Sequence, residues 1–170
     1  QFGTPKIDGV VDDIWASATA YAMEQPNLLE GTSGTTRLMW DDNALYLLTE
    51  VVDGNLDSTA GAAYQQDSVE VFLDELYDKA TSYQGDDVHY RVNYQNVRST
   101  DNGDSGRFYT AVSTTETGYT VEACIRFVNV TPANDMELGF DAQINACEGG
   151  NRSGTLNIFD ATGNAYADPS

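Results

Sequence analysis

At 170 residues the chain has the length of one ordinary domain, enough to bury a sizeable core without cross-links. Its 27 acidic residues against 8 basic ones give a formal charge of −19. Such a surface repels phosphate backbones and anionic lipid, which argues against nucleic-acid and membrane-surface roles. No apolar run approaches the length of a membrane span, and a start at Gln1 with no leader reads as a processed or excised piece of a larger protein.

The opening reads as a short strand over 5–7, a turn at Asp8-Gly9 and an acidic segment ending at Trp15, whose apolar spacing with Val11 marks it as a core plug. Residues 16–34, punctuated by Pro26, Gly31 and Gly34, read as loop. Strands follow over 35–40 and 44–52, joined by the hairpin turn Asp41-Asp42-Asn43. The second is apolar on both faces, as a central strand is.

Over 68–74 the period is two: Val69, Val71 and Leu73 form one phase, and Glu70, Phe72 and Asp74 the other. A carboxylate, Glu70, therefore sits mid-strand on the face away from the aliphatic core. Over 88–94, Val88, Tyr90, Val92 and Tyr94 point one way, and His89, Arg91 and Asn93 the other. Strands over 107–113, 118–127, 137–146 and 153–159 complete the set. In 137–146, Phe140, Ala142 and Ile144 alternate with Asp141, Gln143 and Asn145. There is no amphipathic helix of useful length and no internal repeat. The pattern predicts one all-β domain over 1–170, an antiparallel β-sandwich of jelly-roll-like type, with long polar loops at 54–66, 76–87 and 95–106.

Four groups of residues can carry chemistry. Tyr64 at the strand entrance, with Glu70, Arg91 and Asn93 on non-core faces, makes a polar patch with one stacking ring; the alternative is an exposed Glu70–Arg91 ion pair of little consequence. Asp53, Asn55 and Asp57, with Asp67 joining them, have the alternating oxygens that suit a hard cation; the alternative is an Asx-rich turn. Asp101-Asn102-Gly103-Asp104 is a second, similar loop. All-oxygen ligands favour calcium over zinc or copper. Cys124 and Cys147 fit no C-x-x-C motif and are read either as a pair or as two free thiols. A hydrolase built on the lone His89 lacks a Gly-x-Ser-x-Gly elbow. A glycosidase would need Glu70 with Asp74 or Glu122 as its acid and base.

The stretch Tyr64-Gln65-Gln66-Asp67-Ser68-Val69-Glu70-Val71-Phe72-Leu73-Asp74-Glu75 resembles the signature of the family 9 carbohydrate-binding modules. Ile7-Asp8-Gly9 with Asp13-Ile14-Trp15 is similar to the family's opening. Leu45-Tyr46-Leu47 running to Val52-Asp53, His89-Tyr90-Arg91-Val92-Asn93 and Gly118 to Ala123 follow in the same order. Arg152, then Asp160-Ala-Thr-Gly-Asn-Ala-Tyr166, is similar to its closing region. The resemblance covers nearly the whole chain.

It implies a non-catalytic module of a secreted or cell-surface, multidomain cell-wall-degrading protein. Such a module binds β-linked xylan or cellulose oligomers, including their reducing ends, and carries structural calcium. Tyr64 falls on the family's first aromatic residue, Glu70 on its acidic residue and Arg91 on its arginine. Where the family's closing region carries a Trp this chain has Ile158, with Phe159 beside it; strand alternation points the two to opposite faces, so either Phe159 serves or half of the aromatic clamp is missing. Two competing readings are a calcium-dependent structural or adhesion domain, should the sugar site have decayed, and the haem domain of related sandwiches, with His89 and Met23, Met39 or Met136 as ligands.

Overall fold

The computed structural model describes residues 1–26 and 29–169. Ten strands form two five-stranded antiparallel sheets packed as a sandwich: β1 (Ala20–Ala22), β2 (Thr32–Trp40), β3 (Ala44–Asp53), β4 (Ser68–Asp74), β5 (Asp87–Asn93), β6 (Arg98–Asn102), β7 (Phe108–Thr114), β8 (Gly118–Arg126), β9 (Gly139–Glu148) and β10 (Asn151–Asn157). One sheet has the order β1-β2-β3-β8-β7 and the other β10-β9-β4-β5-β6. β3 and β4 occupy the two central positions, and every residue of β4 is buried. Among the described residues helix is confined to short 3₁₀ turns, and none is long and apolar enough to cross a membrane.

The core between the sheets is filled by the apolar phase of each strand: Val69, Val71 and Leu73 from β4, Val88, Tyr90 and Val92 from β5, Ala142 and Ile144 from β9, facing Leu45, Leu47, Val121 and Ile125. Each large aliphatic side chain so buried contributes about 1.5–3 kcal/mol. The other face of β3 is apolar because it meets a second cluster. Ala44, Tyr46 and Leu48 pack there with Met39 under Trp15 and Ala18, so the N-terminal segment straps the outside of the first sheet. The Trp15 indole N–H donates to Glu122 Oε1 at 3.2 Å.

The hairpin turn forms as expected: Asp41 Oδ1 accepts the backbone N–H groups of Asn43 and Ala44 at 2.8 and 3.0 Å. Three segments differ from the sequence reading. Residues 5–7 are not a strand; the opening touches a sheet through the isolated bridge Phe2↔Trp40. β1 and β6 form where loop was expected. Both are short edge strands that exist by pairing with one neighbour, a tertiary effect that leaves no hydrophobic period in sequence. The cysteines are free, Cys124 on β8 and Cys147 on β9, in different sheets.

Candidate functional site

The non-core phases of β4, β5 and β9 lie side by side on the outer face of the second sheet. The register sets Glu70 opposite Arg91 on one side and opposite Gln143 on the other, with Asn157 of β10 opposite Gln143. One polar row thus crosses four strands. It is not exposed: Glu70 is 1 % and Arg91 4 % accessible. The expected surface ion pair is therefore a buried one.

Glu70 is held from three sides. Its Oε1 accepts from Arg91 Nε and Asn145 Nδ2, each at 2.7 Å, and its Oε2 meets His89 Nε2 in a short contact. Burial alone would push this carboxyl up, but the hydrogen bonds from His89 and Arg91 and the charge of Arg91 outweigh it and hold the group at about 2. Arg91 in turn donates to Ser99 Oγ at 3.0 Å and to Asp101 Oδ2 at 2.7 Å. Asn145 Oδ1 accepts from Gln143 Nε2 at 2.9 Å and from Arg152 Nη1 at 3.3 Å. Asn93 Nδ2 donates to Gln66 Oε1 at 2.8 Å.

Walls rise at both ends of this floor. At the Ser68 end, the 3₁₀ turn Ala63–Gln65 presents Tyr64, 47 % exposed, with the Arg152 guanidinium 5.4 Å from the ring centre. Asp67 pins that wall, accepting Cys147 N at 2.7 Å and Asp57 N at 2.5 Å; burial pushes its carboxyl up to about 6 despite those bonds. At the Asp74 end the chain leaving β10 turns over the sheet. Asp141 accepts the N–H groups of Phe159 and Asp160, and Asp160 those of Thr162, Asn164 and Ala165. The segment is tied down on the β5 side by Tyr83, whose hydroxyl donates to Ala165 O at 2.5 Å while its ring stacks on His89. Tyr166 follows, 59 % exposed. A cavity of about 410 Å³ opens along this segment between Phe72, Asp141, Phe159 and Ala165.

Tyr64, Glu70, Arg91 and Asn93 thus meet around one floor. Ile158, 9 % exposed, belongs to the core, whereas Phe159 points outward at 57 % exposure with its ring against Tyr21 at the joined edges of the two sheets. Asp53, Asp57 and Asp67 each accept backbone N–H groups, from Asn55, from Thr59 and Gly150, and from Asp57 and Cys147. Asp101 serves Arg91, and Asp104 accepts from Gly106 N. Sequence reasoning missed Tyr83, Gln143, Asn145, Arg152 and Tyr166. The polar phase of β9 was visible, but its adjacency to β4 was not.

The geometry also weighs the alternatives. A general acid needs a raised pKa, and Glu70 is held low. Glu122 faces the N-terminal strap on the opposite sheet, so the sandwich core separates the two carboxylates. His89 packs with Phe72 and Tyr83 with Nε2 against Glu70, while Met23 and Met39 belong to the two hydrophobic clusters, so neither of these methionines pairs with His89 as a haem ligand.

A sandwich with a buried, fully hydrogen-bonded carboxylate in its polar floor and an exposed ring at the floor's edge has the build of a binding module. Residues 7–170 match the family model described as Carbohydrate family 9 binding domain-like, and the chain belongs to that family. It is 44% identical over 172 residues to an endo-1,4-beta-xylanase A of Thermoanaerobacterium saccharolyticum, covering 99% of this chain but 15% of that enzyme's length. Two solved structures of a family 9 module from Caldicellulosiruptor kristjanssonii, in complex with cellotriose and with glucose, superimpose with TM-scores of 0.96 and 0.95. Both are 48% identical and cover 99% of this chain; the match spans 87% and 88% of those chains.

Proposed function

We propose that the chain grips the end of a β-linked glucose or xylose oligomer between Tyr64 and the closing segment, and so carries a partner glycoside hydrolase to cellulose or xylan outside the cell. The observation that carries this reading is the fixed Glu70–Arg91 pair at the centre of a floor flanked by rings. A guanidinium has five N–H donors, and three of those of Arg91 are committed to Glu70, Ser99 and Asp101. Of the other two, one is on Nη2, which lies 3.5 Å from His89 Nε2, and the second Nη1 donor is left to serve a sugar hydroxyl that reaches the floor. Tyr64 would take the C–H face of the pyranose. Tyr166, rather than Phe159, is our second ring, because the Tyr21 contact draws Phe159 to the sandwich edge while Tyr83 holds Ala165 beside His89.

The cellotriose and glucose complexes of the relative and its xylanase kinship support the sugar class. Tethering to an enzyme raises its effective concentration at the polymer. Calorimetry with cellotriose, xylotriose, glucose and borohydride-reduced cellotriose tests the reading. Binding of the first three, weakened for the reduced sugar, is expected; no affinity for any of them defeats it.

We also infer a structural calcium ion. Among the described residues the carboxylates whose oxygens converge are Asp74, Asp78 and Asp86, and not the set Asp53, Asp57 and Asp67, although Asp74 and Asp78 also accept backbone N–H groups. One oxygen from each lies within 4.8 Å of the others, and Asp86 Oδ2 is buried with no hydrogen-bond partner. Hard carboxylate oxygens at the rim of a loop suit calcium.

A further inference from the structure

We propose that Tyr83 is a positioning residue for sugar binding: it latches the closing segment to the floor, and thereby sets where Tyr166 stands relative to Glu70. The inference rests on the reading of Tyr64 and Tyr166 as the two rings of the site. Tyr83 belongs to the loop between β4 and β5 and touches both halves of the arrangement. Its ring lies on His89 at 5.8 Å between centroids with 22° between planes, and His89 also meets its cross-strand neighbour Phe72 at 4.6 Å. His89 Nε2 meets Glu70 Oε2, so the Tyr83–His89 column adjoins the central carboxylate.

The hydroxyl at the far end of that column donates to Ala165 O at 2.5 Å, one residue before Tyr166. Burial, followed by the negative charges of Asp87, Glu70, Asp101 and Asp168, keeps this phenol protonated and hence a donor. On its other side the closing segment is anchored through Asp141 and Asp160. Cutting the Tyr83 bond removes the tie between Ala165 and the β5 side of the floor, while the turn keeps its own bonds from Ala165 N–H to Asp160 and from Ala167 and Asp168 N–H to Asn164 O, so the ring shifts with the turn instead of unravelling from it. A misplaced ring loses stacking that depends on offset and angle.

The test is a double-mutant cycle read by calorimetry with cellotriose, using Tyr83→Phe, Tyr166→Ala and the double variant, with denaturant melts confirming that each is folded. Tyr83→Phe removes one oxygen and keeps the stack on His89. We expect it to weaken binding roughly five- to tenfold, and to have less than a twofold effect once Tyr166 is already Ala. A merely structural role would give additive losses, and additivity overturns the proposal. So does Tyr83→Phe binding within twofold of the wild type while Tyr166→Ala binds weakly. If Tyr166→Ala itself binds normally, the second ring of the site has been misassigned and the latch falls with it.

Discussion

Removing the Tyr64 ring probes the wall that the sequence and the structure both single out. Tyr64 is 47 % exposed, and a large aromatic side chain buries about 150–250 Å² in full, so a ligand can cover roughly 70–120 Å² of it (0.47 of each bound). A sugar stacked on one face hides about half of that, worth roughly 1–1.5 kcal/mol at about 25 cal/mol per Å². The stacking geometry adds about 0.5–1.5 kcal/mol. Tyr64→Ala should therefore cost about 2 kcal/mol of affinity, a 10- to 100-fold rise in Kd at about 1.4 kcal/mol per decade. Stability should change little, because what the ring loses in the fold is a contact with Arg152, about 0.5–1 kcal/mol at an exposed site. Calorimetry with cellotriose, paired with urea melts, separates the two. A folded Tyr64→Ala protein binding within twofold of the wild type would refute the reasoning; Tyr64→Trp should bind more tightly than the wild type.

Three further outcomes follow from the same coordinates. Because Glu70 and Arg91 are a buried pair, Arg91→Ala should lower unfolding free energy by about 3–5 kcal/mol in urea titrations as well as abolishing binding; loss of binding at full stability would show the pair to be solvated. Glu70, held at about 2 against an ordinary 4.5, contributes stability that is present above pH 4.5 and lost as pH falls through 2; Asp67, raised from 3.8 to about 6, contributes stability present below pH 3.8 and lost as pH rises through 6. Each amounts to about 3 kcal/mol, so the difference in stability between the wild type and Asp67→Asn should shift between pH 4 and 6, and a pH-independent difference would contradict the assignment. Chelation of calcium should lower Tm, and Asp86→Asn should abolish that response by removing a ligand that binds the native state alone; an identical melt with and without chelator removes the ion from the account.

Alternation alone made the sandwich legible. Val69, Val71 and Leu73 declared a core face and Glu70 its opposite, and the same period in 88–94 and 137–146 declared their neighbours. A side chain's phase along a strand is a local property, fixed by a backbone in which successive residues point to opposite faces. The order of short motifs from Ile7 to Tyr166 carried the family, and with it Tyr64, Glu70 and Arg91. What tertiary structure alone decided was adjacency and depth. That β9 lies beside β4, bringing Gln143 and Asn145 to Glu70, depends on strand order, which no period encodes. The surroundings that bury the Glu70–Arg91 pair, with His89, Asn145 and Asp101 as its partners, come from three different strands. Packing also decided depth at the end of β10, where the core took Ile158 and left Phe159 outside. Local alternation is written residue by residue; a site assembled from four strands and two loops is written in how they meet.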